Sequence, residues 1–184
     1  MFKEMTMNKK GILLVNLGTP DSPSTPDVRK YLKEFLMDER VIDIHPFLRT
    51  LLVKGMIVPF RAPKSAKLYK AIWSDKTGSP LLRYSKLQQS LLQERLGDEY
   101  LVDLGMRYQN PSIEEALNRL LAANVDHITV IPLFPQYASA SSGSVYQEVM
   151  RVLANRAVIP GLSFVNSFHD NELMIGAFAE NGRI

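Results

Sequence analysis

Residues 11–37 read GILLVNLGTPDSPSTPDVRKYLKEFLM, and three textures follow one another along that stretch. GILLVNL, over residues 11–17, is a continuous apolar run that reads as a buried strand. Gly18-Thr19-Pro20 turns the chain, and residues 21–26 form a loop. Thr25-Pro26-Asp27 reads as a helix N-cap followed by proline at the first helical position. Val28, Tyr31, Leu32, Phe35 and Leu36 then repeat at the spacing of a one-sided helix. A buried strand feeding an amphipathic helix is the opening unit of a parallel α/β sheet.

The unit recurs. Strands are predicted over 100–105, 127–134 and 162–165, and helices over 81–96, 111–123, 145–155 and from 172 to the end. Between the first helix and the second strand the pattern is less regular. Residues 41–44 are a short strand or a connector. Residues 47–58 are apolar almost all round and closed by Pro59, which suits a buried helix or a flap over something apolar. Residues 61–73 are basic and amphipathic, with Arg61, Lys64, Lys67 and Lys70 beside Tyr69 and Trp73, until Gly78-Ser79-Pro80 interrupts them. The expected fold is α/β, a parallel sheet flanked by helices on both faces. Residues 1–8 are expected to be a flexible N-terminus and 9–170 one α/β domain. Residues 171–184 are expected to start a helix truncated at the chain end, leading into a missing C-terminal half.

Composition narrows the function. The 184 residues are 46% hydrophobic and 22% charged, which is ordinary for a globular chain and too apolar for disorder. With no cysteine, disulfides, thiolate zinc sites, cysteine-ligated iron–sulfur clusters and cysteine nucleophiles are excluded together. Three histidines, His45, His127 and His169, do not make a histidine-rich metal site. The net charge of +3 is too small to argue for a nucleic-acid partner. No apolar run approaches the ~20 residues of a spanning helix, and the polar MFKEMTMNKK start is unlike a secretory signal, so a cytoplasmic protein is expected.

In open parallel sheets, ligands bind beyond the carboxyl ends of the strands. Three strand ends carry distinctive residues: Asn16–Pro20 (NLGTP), Gly105–Tyr108 (GMRY) and Pro135–Ala138 (PQYA). An arginine and two tyrosines converging on Leu17 suit a flat aromatic ligand bearing carboxylates. Blander readings stand beside this one. Leu17 is equally the last core residue of a strand, and Arg61, Lys64 and Lys67 are equally a solvated helix face. Tyr69 and Trp73 sit at packing spacing. Arg107 suits an ion pair with a strand-end carboxylate, and residues 139–144 suit an anion-binding helix start.

Taken together, GILLVNLGTP (11–20), GSP (78–80), GMRY (105–108) and FPQYASASSGS (134–144) resemble the successive signatures of the N-terminal half of the ferrochelatase family. The likeness runs from Lys9 to the end. It implies one half of a two-domain chelatase fold with a porphyrin in the cleft, and ferrous iron and protoporphyrin IX or coproporphyrin III as substrates in haem biosynthesis. No permanently bound cofactor is implied, and lack of cysteine rules out the iron–sulfur cluster of some members. The resemblance places Leu17 against the porphyrin ring and residues 29–73 in a porphyrin lip, whose apolar side chains allow peripheral membrane contact. It places Arg61 on a propionate, and Tyr69 and Ser79 at the substrate edge. Arg107 and Tyr108 fall near the metal path, and Tyr137 and Ser144 flank the cleft.

The family's histidine segment, followed by Gly/Ser-Leu-Pro, and its later glutamate have no match here. His169, in NSFHD, is not followed by Leu-Pro and reads as a loop histidine. The resemblance therefore implies no catalytic residue and no metal ligand within this chain, which alone is expected to be inactive. A non-catalytic tetrapyrrole-binding module and a generic α/β anion-binding domain remain as alternatives. The second is weakened by the absence of GxGxxG and GxxxxGK[ST].

Overall fold

The computed structural model describes residues 9–183, so the flexible N-terminus expected over 1–8 lies outside the described residues. Four parallel strands, β1 (Lys10–Gly18), β2 (Tyr100–Tyr108), β3 (His127–Pro132) and β4 (Gly161–Phe164), form one sheet in the order β2-β1-β3-β4. The unbroken apolar run of β1 follows from its central place. Alternate residues face two cores: Leu13 and Val15 point to one, Ile12 and Leu14 to the other. The first core is closed by helices α5 (Ile113–Ala122) and α6 (Ser144–Leu153), the second by α4 (Pro80–Leu96) through Leu82, Leu92 and Leu96. Helices on both faces of a parallel sheet are the predicted arrangement.

α5 starts as its sequence dictates. Ser112 accepts from the Glu115 amide and the Glu115 carboxylate accepts from the Ser112 amide, while Ile113, Ala116, Leu117 and Leu120 fill the core. α1 (Thr25–Met37) starts one residue earlier than predicted. Ser24, not Thr25, is the cap, because a cap hydroxyl must reach the amide three residues on, and that residue is Asp27. The Asp27 carboxylate then accepts from Ser24 and Ser22, hydrogen bonds that hold it below the usual range.

Two expectations need correction. The predicted stop at Pro59 does not occur: α2 (Pro46–Thr50), a π-helical turn (Leu51–Ile57) and α3 (Val58–Ile72) form one helical run over 46–72. In the wide turn the Val58 amide already reaches back five residues to the Val53 carbonyl, so the ring of Pro59 interrupts no ordinary ladder. β2 runs to Tyr108 rather than stopping at Gly105, because Asn16 and Gly18 of β1 pair with Met106 and Tyr108. Residues 41–44 are a connector, with Val41 and Ile42 half-buried against α1.

The run over 46–72 divides its apolar residues between two surfaces. Val53, Val58, Ala62 and Ala66 pack on Val28, Tyr31, Leu32 and Leu36 of α1. Phe47, Leu48, Leu51, Met56 and Phe60 are exposed. It is neither simply a buried helix nor simply a flap. α7 (Glu172–Asn181) buries no side chain. Among the described residues no helix is long and apolar enough to cross a membrane.

Candidate functional site

The carboxyl ends of β1, β2 and β3 share one rim, as parallel strands require, and the chain crosses from one side of β1 to the other between β2 and β3. Ligands of open α/β sheets lie at such a reversal. On this rim Gly18 has φ of 114° and packs against the Tyr108 backbone, so the chain turns tightly after Leu17. Leu17 itself is half-buried beside the cluster formed by α1 and α3.

α1 ends at the same rim, and its last cap residue, Asp38, organises it. The Asp38 carboxylate accepts from Arg107 Nη2 at 2.8 Å, Tyr108 Oη at 2.8 Å and Ser144 Oγ at 2.5 Å. Its other oxygen accepts from the Arg40 amide at 2.8 Å. Arg107 also donates through Nε to Ser144 Oγ at 2.6 Å, and its guanidinium lies 4.6 Å from the Tyr108 ring centroid. Burial pushes the Asp38 carboxyl up. The hydrogen bonds from Ser144, Arg40 and Tyr108 and the Arg107 charge outweigh burial and hold the group below the usual carboxylate range. Burial, chiefly, drives the Tyr108 phenol well above its ordinary value, so it stays a proton donor to Asp38.

Beside this cluster, α1 and α3 enclose a groove of about 490 Å³ lined by Leu32, Phe35, Arg61, Ser65, Tyr69 and Ile72 among others. Its walls are apolar, with one guanidinium, one phenol and one hydroxyl set into them. The Phe35 ring joins the groove to the rim, edge-on to Tyr108 at 5.2 Å, and Tyr31 holds Tyr69 edge-on at 6.2 Å. Burial raises both the Tyr31 and the Tyr69 phenols, so both are neutral donors at ordinary pH.

The other predicted residues fall in four separate places. Arg61 and Tyr69 line the groove together. Arg107, Tyr108 and Ser144 meet at Asp38; Tyr108 and Ser144 are fully buried, and 16% of the Arg107 side chain is exposed. The alternative reading of Arg107 as an ion-pair partner is what the geometry shows, with a helix-end carboxylate as its partner. Ser79 lies apart, in a second hollow of about 360 Å³ with Thr19, Trp73, Lys86 and Asn110, where the buried Thr19 hydroxyl has no hydrogen-bond partner. Tyr137 is exposed and its hydroxyl sits over Gly143, 3.0 Å from where a Cβ would stand. Asp38 was not among the residues the sequence singled out. Its one signal is an acidic residue where an apolar helix meets a turn.

The histidines occupy none of these places. His45 caps α2 by accepting from the Phe47 amide, and His127 opens β3 beside Ser163 at the opposite end of the sheet. His169 lies in an exposed turn against Ser167. No group of three or more His, Asp or Glu side chains is placed to hold a metal ion among the described residues.

Comparison with known proteins gives one consistent result. Residues 9–183 match the family model described as Ferrochelatase. Proteins named ferrochelatase from Escherichia coli O8 (strain IAI1), O9:H4 (strain HS) and strain SMS-3-5 / SECEC are each 48% identical over 179 residues. The aligned region is 97% of this chain and 55% of each relative, so the chain spans about half the length of the curated relatives it matches.

Proposed function

The chain belongs to the ferrochelatase family, and from that premise we propose that it forms the porphyrin-binding wall of an enzyme inserting ferrous iron into protoporphyrin IX or coproporphyrin III. The observation that carries the reading is the groove between α1 and α3. It offers an apolar surface on Leu32, Phe35 and Ile72, a guanidinium from Arg61, and hydroxyls from Ser65 and Tyr69. A porphyrin is a flat apolar ring with carboxylates at one edge, and Arg61 suits a propionate through its planar fork. Ferrous iron and the porphyrin enter this reading as substrates, and no resident cofactor is required.

Metal insertion needs the ring bent and two pyrrole protons removed. A fixed wall bends the ring with binding energy drawn from its periphery. Tyr108 and Asp38 behind Phe35 make that wall stiff. Proton removal needs a base, which typically contributes about 10²–10⁴-fold. Arg107 is committed to its pair with Asp38, Tyr108 is held protonated by burial, and each histidine lies away from the groove's lining. In this reading the base comes from the remaining, C-terminal part of the family's length. Arg107, Tyr108, Tyr137 and Ser144 then shape the rim along which the metal arrives, and Leu17 borders the ring, whereas Ser79 belongs to the neighbouring hollow. The exposed Phe47, Leu48, Leu51, Met56 and Phe60 form the lip, and a peripheral membrane contact and cytoplasmic location belong to the same proposal.

The test is ferrous or zinc insertion by this chain alone and after adding a separately produced C-terminal half of the family. No rate above buffer for the chain alone, and metalation on adding the second half, is the expected pair of results. Metalation by the chain alone that His169→Ala abolishes would make His169 the base and overturn the division of labour. Porphyrin binding with no metalation after reconstitution would favour a non-catalytic tetrapyrrole-binding module.

A further inference from the structure

The tripeptide that follows α1 is bonded at every residue to the start of α6, and Arg40 also to the turn before it. Asp38 accepts from Ser144 Oγ, the Glu39 carboxylate accepts from Gln147 Nε2 at 2.9 Å, and Arg40 donates to Ser139 Oγ at 3.0 Å and to Gln147 Oε1 at 2.5 Å. These contacts join residues about a hundred positions apart, across the rim where β2 ends. They sit immediately before the connector that carries the chain into the 46–72 helical run. Besides the bonds of Asp38 to Arg107 and Tyr108, the connector is held by Val41 and Ile42 packed in the α1–α3 cluster and by Arg49 of α2, whose Nη1 donates to the Ile42 carbonyl at 3.2 Å.

We infer that Asp38, Glu39 and Arg40 act as a clasp that sets the width of the porphyrin groove, with Asp38 as its central positioning residue. The inference rests on the reading of the groove as a porphyrin wall. The mechanical link is continuous. Asp38 holds the Tyr108 hydroxyl; the Tyr108 ring meets Phe35 edge-on at 5.2 Å; Phe35 is a wall of the groove. Asp38 also fixes the C-terminal end of α1, whose Tyr31, Leu32 and Leu36 are the surface on which Val58, Ala62 and Ala66 of the opposite wall pack. One carboxylate thus controls the position of one wall directly and of the other through the packed α1–α3 seam.

The three residues contribute unequally. Asp38 has a side chain 5% exposed and receives three side-chain donors, so removing its charge leaves Arg107 short of its counter-ion in a largely buried place. Glu39 and Arg40 are exposed and their bonds are worth less. The clasp therefore behaves as a strong central rivet with two weaker ones beside it.

The experiment titrates a free-base dicarboxylic porphyrin into the chain and into Asp38→Asn, Arg40→Ala and Arg151→Ala variants, following the Soret band and the amide exchange of residues 38–57. Arg151, paired with Glu148 and Glu114 on α6, is a control outside the clasp. The expected results are a dissociation constant raised about tenfold for Asp38→Asn and about two- to threefold for Arg40→Ala, with faster exchange over 38–57 and no change for Arg151→Ala. The Soret maximum of the bound porphyrin at saturation is expected to move in Asp38→Asn, because a reshaped groove holds the ring differently. A merely destabilised protein binds less porphyrin with an unmoved band. Arg40→Ala keeps the test open if Asp38→Asn fails to fold, since it breaks the Ser139 and Gln147 bonds and strands no buried charge. Unchanged affinity and band position in both variants, with the parent chain binding normally, overturns the clasp alone. Failure of the parent chain to bind porphyrin overturns the groove reading, and the clasp's role with it.

Discussion

Substituting alanine at Gly18 tests the rim where the site is built. Gly18 ends β1 opposite Tyr108 of β2 and has φ of 114°, where a side chain is strained before any contact is considered. A strained backbone of this kind costs about 1–2 kcal/mol. A Cβ at this position would stand 2.0 Å from the Tyr108 carbonyl oxygen and 2.9 Å from its carbonyl carbon, and backbone atoms cannot rotate away. Overpacking against an unyielding neighbour adds about 1–3 kcal/mol, for a total of about 2–5 kcal/mol. For a chain of this size, about 2–4 °C per kcal/mol lowers Tm by roughly 4–20 °C. Gly97 provides the comparison: its φ is 66°, with nothing within 4 Å of a Cβ, so Gly97→Ala carries only the strain, about 1–2 kcal/mol. Urea unfolding followed by circular dichroism measures both variants. Porphyrin affinity should fall in Gly18→Ala, because Tyr108 and Leu17 move with the rim, and hold in Gly97→Ala. Equal destabilisation by the two substitutions would refute the argument that backbone contact at the rim, and not positive φ alone, makes Gly18 indispensable.

Asp38 predicts an acid limit. Its folded carboxyl is held below its ordinary value of 3.8, so its stabilisation is present above that pH and lost as pH falls through the lower folded value. Urea midpoints of the chain should therefore fall steeply below about pH 4, with Asp38→Asn showing a lower midpoint at neutral pH and a flatter acid limb. Asp27, lowered by Ser22 and Ser24, adds to the same slope, so Asp27→Asn should also flatten it, though less. Ser112→Ala removes one arm of the capping box that starts α5 and should cost about 1 kcal/mol of stability, with porphyrin binding unchanged, read by the same titrations.

The parts of this fold legible in the sequence are those fixed by local physics. β1 reads as a strand because both its faces are buried, and α5 reads as a helix because its cap and its apolar face agree. What was not legible depends on distant partners. GMRY looks like the exit of a strand until Asn16 and Gly18 are seen to pair with Met106 and Tyr108, which carries β2 three residues further. Pro59 is an ordinary helix stop except after a π-helical turn, and that turn forms where Val53 and Val58 are held against α1. Of the site, Arg61 and Tyr69 were found through the family likeness, and the structure gives them one groove. Ser79 was grouped with them and lies in a different hollow. Asp38 escaped notice because Asp-Glu-Arg after a helix reads as a solvated corner. Its partners Arg107, Tyr108 and Ser144 are 69, 70 and 106 residues away.

A porphyrin seated in the groove between α1 and α3 brings a carboxylate to Arg61, and a titration with acid and ester forms of the ring reads that contact. A free-base porphyrin diacid and its dimethyl ester are each titrated into the chain and into Arg61→Ala. A charge-assisted hydrogen bond to a carboxylate that the bound ring shields from water is worth about 1.5 kcal/mol, which corresponds to a loss of roughly tenfold. Arg61→Ala is expected to weaken the diacid by that factor and to leave the ester nearly unchanged. Equal weakening of diacid and ester, or none of either, would contradict it.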